Sequence, residues 1–288
     1  MTRPAHAVLH DRAGIAARHP QHVRTDWRRL LPRAIGLVLA AALFVVACGP
    51  LDLSWRRLAD GVGRLGEVVA HLWPPTPSSA ARALQYAQAL GESVAIAFLG
   101  TLVAAVLAFP LAFLAARNVV RHPLAHVVTR RSLDAVRAVD TLIWALVWVS
   151  VVGLGPFAGI LAIACADIGL FGKLFSEAIE ATDRRAIEGV RSTGGSRLQA
   201  LRHGLVPQVL PVMASQVLYF FESNTRSATI IGIVGAGGIG LYLSELIRSM
   251  DWPAVAFIVL MILAAVALID QVSARLRFAM IGRRSAAD

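Results

Sequence analysis

The sequence predicts an all-α integral membrane protein with about six transmembrane helices. Three observations lead there. Of 288 residues, 57% are hydrophobic and only 16% are charged, with a mean hydropathy of +0.64; a soluble globular chain carries about 25% charged residues. Apolar runs of roughly membrane-spanning length recur along the chain. All but one of the 28 Lys and Arg fall outside or at the ends of those runs, and mostly on one side, as the positive-inside rule expects. With the runs placed as below, 22 of them fall on one side, 5 on the other, and Arg226 lies inside a run. That asymmetry predicts cytoplasmic N- and C-termini. The net charge of +10 does not indicate nucleic acid, because the basic residues form no single patch. Cys48 and Cys165 both sit in apolar runs, with neither metal-ligand spacing nor a disulfide framework.

Taken in order, residues 1–33 form an arginine-rich cytoplasmic tail and 34–51 the first transmembrane helix. Val45-Val46-Ala47-Cys48 resembles a lipoprotein cleavage box. The charged region before it is longer than a signal peptide carries, so a retained helix is expected. Residues 52–87 read as an extracytoplasmic linker holding a short amphipathic helix, with Trp55 and Trp73 suited to a membrane interface. Residues 88–272 form the main transmembrane domain. Its spans are expected at 91–116, kinked at Pro110, then 138–154, 157–176, 208–233 and 253–272. Between them lie a basic cytoplasmic loop at 117–137, a polar interval at 177–211 and a glycine-rich outer segment at 234–252. A cytoplasmic tail, 273–288, closes the chain.

The interval 177–211 is the longest polar stretch between two apolar runs, and five arginines fall within it. Helix formers dominate up to Arg191, and Gly194-Gly195 then stops the helix, since glycine reaches the left-handed conformation that ends one. Ser196 can cap a second helix running into Pro207. The result is a helix, a sharp turn and a helix on the basic side of a membrane. Such a knuckle suits a groove on a partner protein; an ordinary solvated loop is the bland alternative.

Ionisable residues inside spans are costly and therefore mark candidate functional positions. Glu222-Ser223-Asn224-Thr225-Arg226 interrupts the fifth span, with Glu222 and Arg226 four apart on one helix face. They form either a permanent clamp or, with Asn224 and Ser227, a path for an oxyanion, since guanidinium and hydroxyl donors suit phosphate-like oxygens. Asp140, three residues after Arg137, reads as half of a local ion pair. Asp167, deep in the fourth span, must face protein or a cavity, and gating and structural roles stay open for it. Gly235-Ala236-Gly237-Gly238-Ile239-Gly240 matches G-x-G-x-x-G. A dinucleotide fingerprint also needs a βαβ unit and an acidic residue about 20 positions on, and the region near 260 is apolar. These glycines instead suit a turn or re-entrant segment at the outer face.

Glu188, Gly189, Gly194 and the Leu205-Val206-Pro207 ending resemble the cytoplasmic coupling loop of bacterial ABC-importer permeases. Gly189 and Gly195 stand where alanine is usual in that loop, each loosening a helix by roughly 0.5–1 kcal/mol. The resemblance narrows to the phosphonate-uptake permeases through Phe221-Glu222 to Arg226, the glycine run from Val234 to Gly240, and Gly153-Leu154-Gly155-Pro156-Phe157. Gly172-Lys173-Leu174-Phe175 and Leu205-Val206-Pro207-Gln208 add to it. Together they span about residues 88–272, while Ala166-Asp167 departs from the His-plus-hydroxyl pair expected there.

This resemblance implies a type I importer fold in the bacterial inner membrane, with two copies, as a homodimer, around one pore. It implies ABC ATPase subunits docked on Glu188, Gly189, Gly194, Leu205 and Pro207, and an extracytoplasmic phosphonate-type binding protein. Candidate path residues are Glu222, Asn224, Arg226, Ser227 and Asp167. The chain carries no G-x-x-x-x-G-K-[ST] loop, so it is expected to be a transport subunit holding no cofactor, with ATP and Mg on the partner. The cargo implied is phosphonate or a related phosphorus oxyanion. An amino-acid importer, for methionine for example, is the alternative within the family. An ion-coupled secondary transporter using Asp167 or Glu222, or a membrane scaffold, is the alternative outside it.

Overall fold

A computed structural model of the chain describes residues 27–48, 55–120 and 122–282. Most of the expected N-terminal tail, the last residues of the first expected span and residues 283–288 lie outside these. Among the described residues all regular structure is helical. Two compact units are present, Met1–Glu67 and Val68–Asp288. The first holds α1 (Trp27–Cys48) and most of α2 (Trp55–His71). No residue of the apolar stretch Leu31–Cys48 is buried by protein.

The second unit is organised on α3 (Ala80–Ala115) and α6 (Pro156–Glu180), which pack along much of their length. Small residues make that possible. Ala97, Ala104, Ala108 and Ala112 of α3 are fully buried, at successive spacings of seven, four and four residues that keep them on one helix face. A side chain at Gly100 would put its Cβ 2.8 Å from Ile163 Cβ of α6. Between membrane helices, where lipid is as apolar as leucine, such close backbone approach is a main source of association. The helix α3 starts at Ala80, well before the expected position 91, because Ser79 accepts the Arg82 N–H at 3.2 Å and caps a polar first segment that hydropathy does not register.

Where a cytoplasmic loop was expected at 117–137, the chain forms α4 (Pro123–Arg137), with proline in its first turn. The third expected span is α5 (Thr141–Val152), bent 84° from α4. Twelve residues rise only about 18 Å, short of a roughly 30 Å hydrocarbon core. The described helices thus include five long and apolar enough to cross a membrane, or six if the bent pair counts as one span. Asp140 sits at the bend: its carboxylate accepts the Leu142 N–H at 2.8 Å as the cap of α5, in place of the ion pair expected with Arg137.

After α6 come α7 (Arg184–Ser192), the single turn α8 (Arg197–Gln199), a π-helical segment (Ala200–Leu205) and α9 (Val206–Ile233). A glycine-rich turn leads to α10 (Ile239–Arg248), within the expected outer segment, and α11 (Trp252–Gly282) follows. Helix α11 runs ten residues past the expected span, so much of the expected C-terminal tail is helical.

The glycine run is a packed turn following a helix, so the strand–turn–helix context of a dinucleotide fingerprint is absent here. At Gly237, φ is +85° and an added Cβ would lie 2.8 Å from Pro156 N; only glycine meets both demands. Glu92 Oε1 accepts the Gly238 N–H at 3.1 Å and Ser93 Oγ accepts the Ile239 N–H at 2.9 Å. Two side chains of α3 thereby cap α10.

Candidate functional site

The polar knuckle is built from its turn outward. Asp183 caps α7 by accepting the Arg185 N–H at 2.9 Å. Gly194 takes φ +86° and ends the helix. Gly195 donates its N–H to Val190 O at 3.2 Å, and a Cβ there would fall 2.6 Å from the same oxygen. Ser196 and Gln199 then form a reciprocal capping box, at 3.3 and 2.7 Å. The π-helical segment turns back over α7 so tightly that a Cβ on Gly204 would meet Ile187 Cα at 2.9 Å.

Three ties hold this knuckle to the spans. Gln208 donates to Asp183 O at 3.2 Å and accepts the Asp183 N–H at 3.2 Å, closing the base of the hairpin. Arg197 donates to Val119 O at 2.7 Å, in the turn after α3. Asn118 of that turn donates to Ile179 O of α6 at 2.7 Å, and the Arg117 N–H bonds Glu180 at 2.9 Å. Of the five residues expected to contact a partner, Glu188, Gly189, Gly194 and Pro207 are exposed. Leu205 is not: it is 1% exposed and packs in the core beside Phe171, Phe175 and Val209. A cavity of about 410 Å³ lies between the knuckle and the α3–α4 turn, lined by Arg117, Arg184, Arg191, Arg197 and Glu188.

Four of the five candidate path residues separate into two clusters, and Ser227 joins neither. Residues two apart leave a helix on opposite sides, so Glu222 and Asn224 point away from one another. Asn224 donates to Asp167 of α6 and to Thr101 of α3, the latter at 2.8 Å. The Thr101 hydroxyl in turn donates to Ala97 O at 2.7 Å. All three side chains are buried, and the network satisfies the polar groups it encloses. Ser227 bonds only the Ser223 carbonyl of its own helix, at 3.5 Å.

On the other side of α9, Glu222 Oε1 accepts from Arg226 at 3.3 Å, and its Oε2 accepts from both terminal nitrogens of Arg277 at 3.3 and 3.5 Å. The three side chains form an Arg–Glu–Arg triad of net charge +1. Glu222 is the enclosed member at 11% side-chain exposure; Arg277 is 22% exposed and Arg226 is 50% exposed. One guanidinium of the triad therefore remains half open.

Sequence reasoning missed Arg277, Thr101 and Glu92. Arg277 was assigned to the tail, although Val272, Leu276 and Phe278 continue the apolar pattern of α11. Thr101 lies in an alanine-rich run where a hydroxyl draws no notice. Glu92 sits one position inside the expected span, and its charge was the available signal.

Residues 108–281 match the family described as the binding-protein-dependent transport system inner membrane component. The chain is 38% identical over 260 residues to the putative phosphite transport system permease protein HtxC of Stutzerimonas stutzeri, covering 90% of this chain and 91% of that one. It is 38% identical over 253 residues to the phosphite transport system permease protein PtxC of the same organism, covering 87% and 89%. Among solved structures, an inward-facing MetNI methionine ABC transporter superposes with a TM-score of 0.59 at 19% identity, over 70% of this chain and 99% of that one. At that identity the likeness is one of fold, and the fold is that of type I importer permeases. Sequence family, relatives along nearly the whole length and fold agree: this chain belongs to the binding-protein-dependent transport system inner membrane components, the permease subunits of ABC importers.

Proposed function

We propose that this multi-pass inner-membrane permease forms the translocation pathway for a phosphorus oxyanion: phosphonate, phosphite or phosphate. One observation carries the cargo: about 38% identity to two permeases named for phosphite, along roughly nine-tenths of each chain. The likeness to a methionine transporter is half as close in identity and bears on fold, so the phosphorus reading is preferred over the amino-acid one. The half-open Arg226 guanidinium suits this cargo, because an alkylphosphonate or phosphite presents oxygens that accept charge-assisted bonds. With Glu222 and Arg277 beside it, Arg226 offers net positive charge without an isolated buried cation. Ser227 lies one residue along the same helix. Asp167 and Asn224 are occupied with each other and with Thr101, and we assign them to holding α3, α6 and α9 together.

In this reading the termini and the knuckle face the cytoplasm, as the 22-to-5 basic asymmetry implies. ATP and Mg bind the partner ATPases. Each ATPase docks on the exposed surface of Glu188, Gly189, Gly194 and Pro207, with Leu205 anchoring that surface to the core. A push on α7 reaches α9 through Gln208 and α3 through Arg197 and Val119. Two identical copies enclose the path, and a phosphonate-type binding protein supplies the cargo and sets most of the specificity, because a pore that bound tightly would not release. Alternating access follows as ATP shifts the population between inward- and outward-open states.

The test is uptake into proteoliposomes holding the permease, its ATPase and its binding protein. ATP-dependent accumulation of labelled phosphite or alkylphosphonate, blocked by phosphorus oxyanions and indifferent to methionine, is expected. Methionine accumulation, or uptake driven by a proton gradient without ATP, would overturn the proposal.

A further inference from the structure

Helix α2 has a use that transport does not account for. At 100° per residue, Leu58, Val62, Leu65 and Val69 fall within about 60° of arc. Arg56, Arg57, Asp60, Arg64, Glu67 and His71 fall within about 100° on the opposite side. The apolar stripe is uncovered: its four side chains are 57%, 63%, 61% and 56% exposed. The helix is also intrinsically weak. It is 17 residues long and contains Gly61, Gly63 and Gly66, each costing about 1 kcal/mol relative to alanine. Isolated helices of that length are marginal in water even when rich in alanine, so α2 needs an apolar surface in order to persist.

The chain supplies one surface at both ends. Helix α1 and helix α3 are both membrane-spanning in length and composition, and as consecutive spans they place Cys48 and Ala80 at the same face of the bilayer. Six residues separate Cys48 from Trp55, and eight separate His71 from Ala80. Six residues reach at most about 20 Å, shorter than the roughly 25 Å length of α2 itself. The helix is therefore held close to that face at its N-terminal end, and is linked through eight residues to the polar first segment of α3 on the same side. Trp73, just past its C-terminal end, is 78% exposed, and tryptophan favours the headgroup level.

We infer that α2 lies in the membrane–water interface, with Leu58, Val62, Leu65 and Val69 at the acyl-chain boundary and its charged face among phospholipid headgroups. This rests on α1 and α3 crossing a bilayer and is independent of the cargo. A lipid surface is preferred to a second protein because tethering presents it continuously, in every state of the transport cycle. The three arginines against Asp60 and Glu67 suit phosphate headgroups.

Site-directed spin labelling tests it on the full chain. In a Cys48→Ser, Cys165→Ala background, single cysteines replace Leu58, Val62, Leu65 and Val69, then Asp60, Arg64 and Glu67. Each nitroxide is examined in phospholipid nanodiscs, with and without the ATPase. Oxygen, which partitions into lipid, should relax the four stripe positions several-fold more than a water-soluble nickel chelate. The three charged-face positions should show the reverse. Nickel accessibility on the stripe equal to that on the charged face would place α2 in water and overturn the inference. Low accessibility to both reagents on the stripe would show a protein cover, and would overturn it equally.

Discussion

Removing Arg226 should cost transport rather than folding, and the triad allows the split to be worked out. Arg226→Ala deletes one ion pair, at 3.3 Å, whose cation is 50% exposed. Exposed pairs contribute about 0.2–1 kcal/mol. Glu222 is not stranded, because Arg277 still offers two nitrogens at 3.3 and 3.5 Å. Arg277→Ala deletes the more enclosed partner and both of those bonds, and hydrogen bonds to charged groups are worth about 1.5–3 kcal/mol. Removing both arginines leaves a buried carboxylate with no cation, a loss of about 3–5 kcal/mol. Thermal unfolding of the solubilised protein, followed by fluorescence-detected size exclusion, should therefore rank Arg226→Ala above Arg277→Ala, and both above the double variant. Proteoliposome uptake should rank differently, with Arg226→Ala falling at least several-fold while its membrane abundance stays near normal. If Arg226→Ala unfolds as readily as Arg277→Ala, the exposure argument is wrong. If it transports normally, the cargo does not meet Arg226.

Other expectations follow from the same geometry. Gly194→Val should leave the spans intact, because an added Cβ there meets nothing within 4 Å; the left-handed turn costs about 1–2 kcal/mol, and ATP-driven uptake should fall while membrane abundance holds. Asn224→Leu should lower the unfolding temperature, because Asp167 and Thr101 both lose its amide, a penalty of about 1–3 kcal/mol per buried group left unpaired; an unchanged temperature would show that water enters the cluster. Gly159→Ala should destabilise by about 1–3 kcal/mol, since its Cβ would lie 2.6 Å from Ala236 O, and normal yield and uptake would mean the glycine-rich turn shifts freely. A reporter fused after Asp288 should be active only if it works in the cytoplasm, and activity of a periplasm-dependent reporter there would reverse the topology.

The membrane class, the helical content and the knuckle were legible in the sequence for local reasons. Hydropathy and basic asymmetry report transfer between water and lipid, which each segment meets independently. The stop at Gly194-Gly195 and the restart at Ser196 are events of backbone conformation and capping within four residues, so the chain order alone displays them. The pairing of Glu222 with Arg226 is of the same kind, one turn apart on one helix.

Contacts made between distant segments were not legible. Arg277 lies 55 residues from Glu222 and Thr101 lies 123 from Asn224; nothing in local pattern announces either meeting. The bend that shortens α5 accompanies the packing of α4 on α6, and hydropathy cannot separate a short, largely exposed helix from part of a span. The sequence marked Glu222, Asn224, Arg226 and Asp167 as costly in a membrane, because charge and polarity are properties of single residues. Folding decided which of them are mutually satisfied in the core and which remains open, because that depends on the neighbours brought up by α3, α6 and α11.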